Sequence, residues 1–231
     1  MNPRFMPVID VQTGPIASRS LSQVYLLLFL AFAFTVLGCA AGATVALSFM
    51  NTGVIMVLFL LQLAIVWTAP SWTHSTPLNY FLFVSLPFLA GLTLTPVIIS
   101  VLVGYANGAT ILMNALIATG LMTLSSALLA TITKTDLGGM FGRFLLQALL
   151  GLIGFGLLQI FFPSLRGQLI EQVVSGIGIV VFSIFLAVDI QRLQRRSNLD
   201  SPFLIAIAIY LDIFNLFLFI LRFMTAGGRR D

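Results

Sequence analysis

The chain has 231 residues, of which 59% are hydrophobic and only 8% charged, with a formal net charge of +4. Soluble domains carry roughly a quarter charged residues, so this composition, with a mean hydropathy of +1.10, excludes a soluble globular protein. The basic balance is that of loops flanking membrane spans and gives no ground for a nucleic-acid partner; a single cysteine, Cys39, excludes internal disulfides and cysteine-based metal clusters.

The apolar runs are continuous and about twenty residues long, where a barrel would alternate apolar and polar positions, so the fold class is an all-α membrane protein. Residues 1–22 read as a polar tail, 23–224 as a single transmembrane domain and 225–231 as a short basic tail. Within the domain the pattern predicts seven spans, at 24–47, 53–68, 78–103, 109–132, 140–162, 169–189 and 202–223, the second the shortest. Trp67 and Trp72 close that second run as expected interfacial anchors. Glycines mark expected close helix approaches: Gly38 and Gly42 in the first span, Gly151, Gly154 and Gly156 in the fifth, Gly176 and Gly178 in the sixth. Pro87 and Pro96 should bend the third. Among the internal loops, one side holds Lys134, Arg143, Arg192, Arg195 and Arg196 against Arg166 on the other, which places the N-terminus in the cytoplasm; the basic C-terminal tail pulls the other way. We expect an integral multi-pass protein of a prokaryotic cell membrane.

Two carboxylates stand out. Asp212 lies near the middle of the last run, where an ionised carboxylate costs about 2.5–3.5 kcal/mol on insertion scales and so calls for a partner, a proton or water. Asp189 ends the preceding run. In an antiparallel hairpin, residues equidistant from the turn share a depth, and the midpoint of 189 and 212 falls between Asp200 and Ser201. The turn chemistry sits there, with Ser197, Asn198 and Asp200 as cap residues and Pro202 suited to a first helical position. Two carboxyls held within a few ångströms cannot both ionise freely and share a proton. Protonated, they hydrogen-bond and clamp the two helices; deprotonated, they repel and offer oxygens to a hard cation such as Ca²⁺. Asp189 and Asp212 are thus the expected pH sensor, gate and metal ligands, with Arg192, Arg195 and Asn215 as accessory or latch residues.

Other polar residues have structural readings. Glu171 opens the sixth span, where a carboxylate complements the helix dipole. His74 is a loop residue, Gln159 and Gln147 can bridge helices, and Arg192, Arg195 and Arg196 can cap a helix C-terminus and snorkel to phosphates.

Four stretches resemble the Bax inhibitor-1 (transmembrane Bax inhibitor motif) family: Gly91-Leu92-Thr93-Leu94-Thr95-Pro96, Lys134-Thr135-Asp136-Leu137, the run from Ile177 through Ser183 to Asp189, and Tyr210-Leu211-Asp212-Ile213-Phe214-Asn215-Leu216-Phe217. The resemblance implies a seven-helix bundle with the C-terminal helix central and a pH-dependent calcium leak. On that expectation the chain has no tightly bound cofactor, Ca²⁺ and protons are its ionic partners and the bilayer its surroundings. Asp189 and Asp212 match the family's paired aspartates. Some bacterial members carry an acidic residue in the second helix and a basic latch near its end; the run from Leu58 to Ala69 has neither. Two other classes compete with the leak: a non-conducting membrane regulator working through protein contacts, and an intramembrane aspartyl protease, whose second aspartate usually follows Gly-x-Gly where this chain has Ile209-Tyr210-Leu211.

Overall fold

The computed structural model describes residues 15–45, 52–165, 167–195 and 201–227. Among them the chain is helical throughout: α1 (Pro15–Val45), α2 (Thr52–Trp67), α3 (Ala69–Trp72), α4 (Leu78–Gly104), α5 (Gly108–Ile132), α6 (Leu137–Phe161), a 3₁₀ turn at Pro163–Leu165, α7 (Gln168–Arg195) and α8 (Pro202–Gly227). Six of these helices are long and apolar enough to cross a membrane. The predicted second span is α2, whose 16 residues reach about 24 Å against a hydrocarbon core of about 30 Å. The expected turn at 197–200 lies outside the described residues. Leu26, Phe29, Leu124, Leu128, Phe144 and Leu150 are all more than half exposed. In water such surfaces would aggregate; here they face lipid.

Local chemistry sets the helix ends. Asp136 caps α6, its carboxylate accepting from the Gly138 and Gly139 amides at 3.2 and 3.1 Å. Gly139 suits that cap because a Cβ there would press on Asp136. Pro202 starts α8, and α7 has Glu171 in its first turn with Arg192 and Arg195 in its last, matching the helix dipole at both ends.

Packing follows the small residues only in part. A Cβ on Gly38 would strike the Phe88 carbonyl, one on Gly42 the Thr95 side chain and one on Gly91 the Thr35 carbonyl. These positions let α1 and α4 meet backbone to backbone. The Thr95 hydroxyl donates to the Gly91 carbonyl at 3.0 Å inside this contact. Four residues along α1, from Gly38 to Gly42, correspond to four along α4, from Gly91 to Thr95, so the two helices run parallel. Gly178 likewise receives Phe219 of α8. Gly151, Gly154 and Gly156 do not follow the expectation: each looks into open space, because α6 is the least buried of the six long helices and its glycine face meets no neighbour. Trp67 is exposed as an anchor should be, but Trp72 is buried, because α3 folds back and Trp72 Nε1 donates to the Ile65 carbonyl at 3.1 Å. Pro87 and Pro96 both lie inside the continuous helix α4.

Helix α8 is the most buried of the six and packs on α1, α4, α5 and α7. Tyr210, 1% exposed, fastens it to α1. The Thr35 hydroxyl donates to the Ala31 carbonyl, which leaves the Tyr210 hydroxyl to donate to Thr35 Oγ1 at 2.8 Å. Rings of Phe32 and Phe214 pack beside Tyr210 at 5.6 and 5.8 Å.

Candidate functional site

Helices α7 and α8 are antiparallel, and their register can be read from a stacked pair of rings. Phe182 and Phe219 stack with centroids 5.5 Å apart. Phe182 lies seven residues before Asp189, and Phe219 seven after Asp212. Two turns from the stacked rings, the carboxyls therefore stand at one level. They are close enough to act on one another electrostatically, and the Arg192 guanidinium acts on both. Asp189 and Asp212 are each 7% exposed.

The two carboxyls differ in their partners. Arg192 Nη1 donates to Asp189 Oδ1 at 2.9 Å, across one turn of α7. Asp212 Oδ2 is buried without any hydrogen-bond partner among the described residues. An orphaned carboxyl oxygen in an apolar interior is costly, and it is the kind of group that a proton or a cation satisfies. Among the described residues no three of His, Cys, Asp and Glu converge. A hard cation here would have two carboxylates and would complete its six to eight oxygens from carbonyls or water.

Of the accessory residues expected from sequence, Arg192 reaches the pair. Arg195 turns to the loop between α5 and α6, its Nη2 donating to the carbonyls of Thr133, Lys134 and Thr135 at 2.8, 2.7 and 3.2 Å. Asn215 is half-buried on α8, three residues beyond Asp212.

Gln191, two residues beyond Asp189, was not singled out by sequence, yet it ties this end of α7 to the α5–α6 loop. It is 2% exposed, accepts from the Leu137 amide at 2.8 Å and donates to the Thr133 and Thr135 carbonyls at 3.1 and 3.0 Å. The motif Lys134-Thr135-Asp136-Leu137 thus has a physical role: its backbone holds Gln191 and Arg195, and its aspartate caps α6. Nothing in the sequence around Gln191 marks this contact, which joins residues more than fifty positions apart.

A second polar cluster ties α6, α7 and α8 together near the far ends of α7 and α8. Arg222 pairs with Glu171 through Nε and donates from Nη2 to Gln159 Oε1 at 2.6 Å. Gln159 Nε2 in turn donates to Glu171 Oε1 at 3.0 Å and to the Leu165 carbonyl at 3.1 Å. Sequence suggested a dipole role for Glu171 and a bridging role for Gln159; the structure joins both through Arg222.

Comparison with known proteins places this geometry in a family. The family model described as "Inhibitor of apoptosis-promoting Bax1" matches residues 17–230. The chain is 31% identical over 202 residues to the inner membrane protein YbhL of Escherichia coli K12, covering 82% of this chain and 81% of that one. It is 30% identical over 196 residues to Protein LIFEGUARD 3 of Arabidopsis thaliana, covering 80% and 74%. An uncharacterized protein of Campylobacter jejuni is 30% identical over 174 residues, covering 75% and 73%.

Proposed function

The chain belongs to the Bax inhibitor-1 family, and on that premise we propose that it is a passive, pH-gated Ca²⁺ leak whose gate is the Asp189 and Asp212 pair. The observation that carries the reading is the orphaned Asp212 Oδ2, buried at the level of Asp189. With one proton on the pair, α7 and α8 stay clamped. As pH rises and the proton leaves, the carboxyls repel, and the site gains oxygens for a divalent cation. Flux then increases with pH.

The proposal includes the topology. The parallel run of α1 and α4 requires the chain to return across the bilayer between them, and α2 is the apolar helix available to do so. Counted this way the crossings are seven, with Lys134, Arg143, Arg192 and Arg195 on the cytoplasmic side with the N-terminus. The similarity to an inner membrane protein supports an inner-membrane location.

A second reading of the gate rests on the Arg192 to Asp189 ion pair. If Arg192 is the latch that the α2 run lacks, acid releases it and flux rises as pH falls. Liposomes loaded with a Ca²⁺ indicator, assayed between about pH 5 and pH 8, distinguish the two by the sign of the slope. Flux rising with pH, and losing its pH response in Asp189→Asn, supports the clamp. Flux rising with acid supports the Arg192 latch instead. No Ca²⁺ entry at any pH removes the leak and favours a regulator that acts through protein contacts.

A further inference from the structure

Helices α1 and α5 stand apart, and between them lies a groove of about 910 Å³ floored by α4 and α8. Phe32 and Val36 of α1 face Leu116 and Leu124 of α5 across it, with Ile213 and Phe214 of α8 beneath. All the lining residues belong to membrane-spanning helices, so the groove opens to the bilayer. Its polar side chains are mostly engaged within the protein. Thr35 bonds Ala31 and Tyr210, Cys39 donates to the Gly91 carbonyl at 3.4 Å, and Thr119 donates to the Ala115 carbonyl at 2.7 Å. The Thr123 hydroxyl has no partner among the described residues but is itself buried beneath the lining, so the surface the groove presents is hydrocarbon.

Its dimensions select the occupant. The α5 wall runs from Leu112 to Leu124, about 18 Å at ~1.5 Å per residue. One leaflet of a ~30 Å hydrocarbon core is about 15 Å deep. The groove starts near the α4–α5 loop and ends partway along α8, where Ile213 adjoins Asp212. That is the length of acyl chains hanging from their leaflet.

We propose that this groove is a binding site for the two acyl chains of one bilayer phospholipid, seated side by side between α1 and α5 against α8, which its volume of about 910 Å³ accommodates. Inside a membrane no hydrophobic driving force distinguishes bound chain from bulk lipid, so retention comes from van der Waals contact along the length of a slot walled on three sides. The lipid substitutes for the helix contact that α1 and α5 do not make along the groove. This site does not depend on what the aspartates conduct.

Gly120 lines the groove, and a Cβ built there meets nothing within 4 Å, so Gly120→Phe fills the slot without a backbone clash. Gly151 on α6 is equally open and lies outside the groove, which makes Gly151→Phe the matched control. The full chain, purified from lipid into mild detergent, is weighed by native mass spectrometry. Wild type and Gly151→Phe should retain a phospholipid that Gly120→Phe loses. In wild-type liposomes, a phospholipid with a photoreactive diazirine in its acyl chain should label the groove segments of α1 and α5 several-fold more than α6. Equal lipid retention in Gly120→Phe and wild type overturns the proposal, as does uniform labelling of all lipid-facing helices. A dimer that disappears in Gly120→Phe would seat a second copy in the groove and overturn it too.

Discussion

The two ends of the α7 and α8 pair carry similar residue types and use them in opposite ways. Near one end, Glu171, Arg222 and Gln159 form a closed set in which the carboxylate meets both a cation and an amide, and the amide also takes a backbone carbonyl. At the other, Asp189 has Arg192, while Asp212 keeps a buried oxygen with no partner among the described residues. A saturated cluster gains nothing from a proton or an ion and serves to hold helices. An unsaturated one is held in a state that a ligand improves, and the surrounding fold bears that cost. Charge inside a membrane is therefore a weak pointer to function by itself; the unmet valence is the sharper one.

The largest expected effect breaks the closed end. Arg222→Ala leaves Glu171 without its cation and should cost about 2–3 kcal/mol, less than the ~3–5 of a fully buried pair because the Arg222 side chain is 36% exposed. Thermal unfolding in detergent measures it, and pH-dependent flux per folded molecule should be unchanged. A variant as stable as wild type would mean the cluster is ornamental and the contrast between the two ends false.

Next comes Gln191→Leu, expected to cost about 1–2 kcal/mol because the Leu137 amide loses its partner and the Thr133 and Thr135 carbonyls keep only Arg195. Unlike Arg222→Ala it should also alter the pH response, since Gln191 holds the end of α7 that bears Asp189. Unaltered gating in a destabilised protein would show that the α5–α6 loop supports the fold without positioning the pair.

What the sequence revealed and what it withheld follow the same physics. Six long spans and the shared depth of Asp189 and Asp212 were legible because each rests on one-dimensional regularity: apolar length, and symmetry about a turn. The bond between Gln191 and the loop, and the meeting of Gln159, Glu171 and Arg222, were not, because they depend on which face of one helix meets another over dozens of residues. The glycines show where the limit falls. Gly38 and Gly151 look alike in sequence, yet one touches a neighbouring backbone and the other faces open space. Trp72 misled for a related reason: a four-residue helix turned it inward.

At the open end, Asp212→Asn should change stability by less than about 1 kcal/mol, because a neutral amide stands in for the carboxyl that holds the shared proton, and the oxygen it alters had no partner among the described residues. The same substitution should remove the pH response of flux. Loss of stability comparable to Arg222→Ala would instead assign Asp212 a structural bond and close the gap between the two ends.

The smallest effect is the most discriminating. A double-mutant cycle over Asp189→Asn and Arg192→Gln should give a coupling of about 0.5 kcal/mol, because the Arg192 side chain is 54% exposed and water screens the pair. That bond is present only while Asp189 is ionised, so the coupling must vanish as pH falls through the titration of Asp189, and added salt must weaken it. A pair made within one turn of α7 cannot by itself lock that helix to α8; it can bias which of the two carboxyls holds the shared proton, leaving it on Asp212, to which Arg192 makes no hydrogen bond. A coupling of about 2 kcal/mol or more would instead make the Arg192 charge the group that sets the pH response of the pair.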